Sequence, residues 1–131
     1  MRQLTPIEAA RCARACRWRL ARADALWPDG SHAISLSVKR AWDRNPDLAL
    51  WDAGDTGYWL ELPLDPYFWF PRLFDELGRS IRNEPWGIQY SGKHMGKREG
   101  DYIAFVGLDA QEDDHPCLAL CAAIEATEGR K

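Results

Sequence analysis

The chain has 131 residues, 46% hydrophobic and 28% charged, the balance of a globular domain able to bury a proper core. No apolar run approaches the ~18 residues of a membrane span. The net charge of -3 is uneven: residues 1–27 hold six arginines against Glu8 and Asp24, giving +4 and leaving -7 for the rest. That balance is unlike a dedicated nucleic-acid binder, which is usually basic overall, but allows one basic face on an acidic body.

Residues 5–27 read as a long helix. Thr5 and Glu8 have the spacing of a capping box, and Pro6 falls at the first helical position, where its missing N–H costs nothing. At ~100° per residue, Ala9, Cys12, Ala13, Cys16, Leu20, Ala23 and Trp27 form an apolar stripe. The opposite side carries Arg11, Arg14, Trp18 and Arg22, so Trp18 is expected to be exposed between arginines. Tryptophan and arginine are enriched in interface hot spots, which makes this face a candidate binding surface. Guanidinium groups shielding the indole, a second segment or a homodimer partner would equally account for it.

Residues 28–31 read as a turn and residues 32–42 as a short helix, although Ile34, Leu36 and Val38 also alternate like a strand. Residues 48–52 and 58–62 flank a glycine turn and read as a hairpin. Asp65-Pro66 opens a second helix, within which Pro71 is expected to interrupt and restart the turn pattern. Residues 86–90 and 102–108 read as a second hairpin around a glycine-rich basic loop. The later strand is apolar on both sides and therefore central. Residues 109–114 read as an acidic linker, with Asp113 or Asp114 capping a final helix that starts near Pro116. The sum is one α+β domain: a small, mainly antiparallel sheet of about four strands with helices packed on it, the first and last helices possible neighbours.

Two features invite chemistry. Cys12 and Cys16 lie four apart on the first helix, and Cys117 and Cys121 four apart on the last. Four thiolates brought together would suit tetrahedral zinc, but the usual structural zinc site uses short turns, and buried cysteine is a common packing residue. The loop with Lys93, Lys97 and Arg98 fails as a phosphate loop: its glycines are too close, no Ser or Thr follows Lys97, and a strand comes next. It remains a second basic patch. Nucleophile-elbow and HExxH patterns are absent, and His32, His94 and His115 fall in separate surface segments, so neither catalysis nor a cofactor is expected.

The C-terminal run Asp113-Asp114-His115-Pro116-Cys117-Leu118-Ala119-Leu120-Cys121-Ala122-Ala123-Ile124-Glu125-Ala126 resembles the closing helix of small phage-encoded proteins with an α/β/α (ABA) sandwich domain. The resemblance implies a phage or prophage accessory protein. With the Trp and Arg excess, the expected function is non-enzymatic binding of a host protein complex, for instance as an anti-CRISPR inhibitor of host defence. Arg11, Arg14, Trp18, Arg22, Lys93, Lys97 and Arg98 are the candidate contacts. The alternatives are a nucleic-acid-associated protein using the same cations, or a metal-binding protein using Cys12, Cys16, Cys117 and Cys121. The expected location is the cytoplasm of a bacterial host, without membrane contact and with reduced thiols: the N-terminal charges are scattered, unlike a signal peptide.

Overall fold

A computed structural model describes residues 1–21, 40, 43–44, 50–54, 57–59, 61–81, 83–91 and 101–129. Nine elements are assigned among them: α1 (Pro6–Ala15), β1 (Arg19–Ala21), β2 (Leu50–Asp52), β3 (Tyr58–Trp59), α2 (Pro66–Arg79), β4 (Trp86–Ser91), β5 (Asp101–Val106), β6 (Asp109–Asp113) and α3 (Pro116–Gly129). The fold is α+β. In place of one sheet of about four strands there are two antiparallel three-stranded sheets, β1-β2-β3 and β4-β5-β6. The sequence suggests one domain, and the residues cluster in two compact units: 1–16 with 63–131, and 17–62. The short helix expected over 32–42 lies outside the described residues, Arg40 aside. No described helix is long and apolar enough to cross a membrane.

The larger unit is built outward from α3. Nine of its residues are buried, including Cys117, Leu118, Leu120, Cys121 and Ile124, as expected of a helix apolar all round and covered on several sides. One side lies on the β4–β6 sheet, where Ala123, Ala126 and Thr127 of α3 share a small cleft with Val106, Asp109 and Gln111. Other sides meet α1 and α2, so the first and last helices are neighbours. The central strand is β5: its Ile103, Ala104 and Val106 are all buried.

Local chemistry sets the helix starts. In α1 the Thr5 hydroxyl accepts from the Glu8 N–H (3.2 Å), and the Glu8 carboxylate accepts from the Thr5 N–H (2.9 Å). In α2 the Asp65 carboxylate accepts from the Tyr67 N–H at 2.9 Å. The cap of α3 differs from expectation. His115, not an aspartate, takes that place: its Nδ1 accepts from the Cys117 N–H (3.1 Å), and Asp113 accepts from the His115 N–H (3.0 Å). His115 is also buried rather than a surface residue, with Nε2 3.0 Å from the Arg2 carbonyl. The Nδ1 acceptor role leaves Nε2–H to donate there.

Three further expectations are corrected. The first helix stops at Cys16, not near Trp27: the Cys16 N–H closes on the Cys12 carbonyl, and Arg17 turns left-handed at φ 66°. Chain beyond it joins a sheet, Leu20 pairing with Trp51; strand pairing overrides helix propensity, and no Gly or Pro marks the stop. Helix α2 runs through Pro71 without a restart. Pro71 is exposed, and the adjacent Phe68 carbonyl accepts from the Arg72 guanidinium at 2.8 Å. The acidic linker is strand β6, paired with β5 along its length. Gly107 (φ 60°) and Leu108 make the two-residue turn into it. A left-handed glycine only at the first central position is the type II′ hairpin turn, whose twist suits the flanking strands.

Candidate interaction surface

The arginine face read from the sequence does not exist as one helical surface. Arg14 is exposed, but Arg11 is partly covered and forms a salt bridge with Glu125 of α3, its Nε 3.0 Å from Oε1. That hydrogen bond raises the Arg11 pKa and ties α1 to α3. Trp18 lies beyond the end of α1 and is buried, its indole stacked on Trp59 with centroids 5.9 Å apart. The register explains the pairing: Trp51 stands opposite both Leu20 and Trp59. Trp18, two residues before Leu20, falls on the same face by strand alternation. Arg22, Lys93, Lys97 and Arg98 lie outside the described residues.

The cysteines meet only in part. Cys12 and Cys121 are fully buried, with their sulfurs 3.6 Å apart. Cys117 instead directs its thiol to the Pro66 carbonyl at 3.4 Å, and Cys16 is half-buried. Among the described residues no group of three or more His, Cys, Asp or Glu side chains is placed to hold a metal ion. Three of the thiols are held protonated: Cys12 by its bond to Cys121 and by burial, while burial pushes Cys16 and Cys117 up to about 12.

A different surface carries exposed aromatic side chains. Helix α2 has a core side of Trp69, Leu73 and Leu77, all fully buried. Trp69 also donates its indole N–H to the Pro63 carbonyl at 2.7 Å. At ~100° per residue, Tyr67, Phe74 and Gly78 fall together on a flank to one side of that core, with Phe70 between the flank and the core side. Tyr67 is 67% exposed, and Phe70 and Phe74 are half-buried. Three of the rings are in contact in series: Phe70 stacks on Phe74 (6.2 Å), and Phe74 meets Trp86 of β4 (4.7 Å). Trp86 reaches that position because residue 78 is glycine; a Cβ there would sit 2.7 Å from the indole.

The band continues along β4. Strand alternation puts Trp86, Ile88 and Tyr90 on the sheet face that α3 covers mainly over β5 and β6. Toward β4 that cover thins: Ile88 is half-buried, and Tyr90 is 56% exposed with its ring edge-on to Tyr102 at 5.3 Å. The outcome is a partly exposed aromatic strip, Tyr67–Phe70–Phe74–Trp86–Ile88–Tyr90, across one helix and one edge strand. The sequence that carries it is nearly balanced in charge: residues 63–91 hold Asp65, Asp75, Glu76 and Glu84 against Arg72, Arg79 and Arg82. One of those cations is engaged with the protein itself, the Arg72 guanidinium lying 3.7 Å from the centroid of the Phe68 ring.

The sequence contains the marks of this strip. The aromatic block at 67–70 is conspicuous, but its division into a core side and a flank follows only once Trp69, Leu73 and Leu77 define the core side. No family model matches the chain, and no curated protein or solved structure matches it at a significant level.

Proposed function

We propose that this chain is a non-catalytic interaction protein that docks a partner protein through the aromatic strip of α2 and β4. The observation that carries the reading is the exposure of Tyr67 and Tyr90 on either side of the half-buried Phe70–Phe74–Trp86 ring series. Half-buried aromatics held in place by their neighbours lose little side-chain freedom on binding and carry large contact area, the qualities of hot-spot residues. The charge balance favours a protein partner. Stacking platforms for single-stranded nucleic acid sit in basic grooves, whereas residues 63–91 have four acids against three bases. A phage or prophage origin, and a host protein complex such as a defence assembly as the partner, rest on the likeness of the C-terminal helix to phage ABA-domain proteins. Exposed Arg14 is a subsidiary contact in this reading.

The test is capture from bacterial lysate by the full chain and by a Tyr67→Ala/Tyr90→Ala variant, with bound proteins identified by mass spectrometry. A specific protein complex held by the parent and lost from the folded variant supports the reading. Equal capture by both removes the strip from the function. Recovery of nucleic acid alone, with affinity falling steeply as salt rises, would favour the cationic alternative.

A further inference from the structure

We propose that Cys12 and Cys121 are a disulfide-forming pair that covalently joins α1 to α3, while Cys16 and Cys117 remain thiols. The two sulfurs are already in contact at 3.6 Å, at the core of the larger unit, with both residues fully buried. Each of the other two cysteines is placed differently: Cys117 is engaged by the Pro66 carbonyl, and Cys16 lies nearer the surface at the end of α1. The chemistry needs an oxidant, and a low-molecular-weight disulfide such as oxidised glutathione supplies it. One cysteine thiolate attacks the small disulfide and releases one thiol. The second thiolate then attacks the mixed disulfide, closes the Cys12–Cys121 bond and releases another. Two protein S–H bonds and one small-molecule S–S bond are lost; one protein S–S and two small-molecule S–H bonds form.

Access is the controlling feature. A buried thiol pair cannot meet a solvent oxidant while α1 is docked. Residues 1–16 belong to the same unit as residues 63–131 but are joined to them in sequence only through residues 17–62. Detachment of α1 is therefore a discrete local opening, and the pair reports it. Once closed, the bond spans 109 positions in sequence, nearly the whole chain, and holds α1 in place whatever the intervening segment does.

The full chain is unfolded in denaturant with reductant, then refolded in a buffer of reduced and oxidised glutathione. Free thiols are counted and the linked peptides mapped. The expected product keeps two of its four thiols free, yields a single Cys12–Cys121 cross-link, and unfolds at a higher urea midpoint that returns to the parent value with dithiothreitol. The folded, reduced chain should form the same bond much more slowly. A Cys121→Ala variant should show neither cross-link nor midpoint shift. Predominant linkage through Cys16 or Cys117, no intramolecular bond after oxidative refolding, or a bond that lowers the midpoint would each overturn the proposal. The mapping uses the parent sequence and so holds whether or not the variant folds.

Discussion

Gly78 is where side-chain size most sharply controls the strip. Alanine is the better helix former by about 1 kcal/mol in an exposed helix. Here the added methyl would meet the Trp86 ring at 2.7 and 2.9 Å, and overpacking of that kind costs about 1–3 kcal/mol. Gly78→Ala should therefore lower the urea midpoint, against propensity, and should shift Trp86 fluorescence; a raised midpoint would mean that the ring is free to move aside. Arg17 is the converse case. Its φ of 66° puts a non-glycine residue in the left-handed region just after the α1 cap, a strain of about 1–2 kcal/mol. Glycine would relieve it but adds freedom to the unfolded chain and removes the Arg17 side chain with what it engages, so Arg17→Gly should change stability by no more than about 1 kcal/mol in denaturant titration. Neither position is legible in the sequence. Gly78 matters because of a ring on a strand eight residues later, and Arg17 because the chain leaves the helix to pair with Leu50–Asp52.

Helix starts, by contrast, are local and can be read directly. Thr5 with Glu8, and Asp65 with Pro66, do what their spacing implies. Helix α1 also gains a pH dependence from its cap. Arg2 hydrogen-bonds the Glu8 carboxylate at 2.8 and 2.9 Å, and this bond, aided by the Thr5 N–H against the opposing effect of burial, lowers the Glu8 pKa to about 2. A carboxylate with a depressed folded pKa stabilises the fold above its ordinary value of about 4.5, and that contribution is lost as pH falls toward 2. Because the Arg2 side chain is half exposed, water screens much of the effect. Glu8→Gln should flatten the loss of thermal stability between about pH 4.5 and 2; an unchanged acid limb would mean that the contact contributes nothing in solution. The strand β6 shows why other elements stay hidden. Asp-Ala-Gln-Glu-Asp has none of the β-branched or aromatic residues enriched in strands, and it is a strand because β5 offers it a paired edge through a Gly107-Leu108 turn. That dipeptide is the available clue. The end of α1 has no such mark, so helical periodicity runs on through Trp18.

For the whole molecule, the consequence is a transfer of the candidate surface. Summed charge over residues 1–27 points to an arginine helix face, but Trp18 is buried against Trp59 and Arg11 is engaged by Glu125. The strip from Tyr67 to Tyr90 takes over as the surface where exposed aromatic area and nearly balanced charge coincide. The adjacency of the first and last helices is readable from their matched apolar faces; which cysteines meet across them is not, because that depends on helix rotation. Protein binding by the strip is tested most directly by the partner retained from bacterial lysate by the Tyr67→Ala/Tyr90→Ala chain relative to the parent. Both side chains are more than half exposed, so the variant should keep its far-UV circular dichroism and lose no more than about 1 kcal/mol of stability. Hot-spot truncations cost about 2 kcal/mol or more in binding, so retention should fall at least about tenfold. A folded variant that holds the same partner as tightly as the parent would contradict docking through the strip.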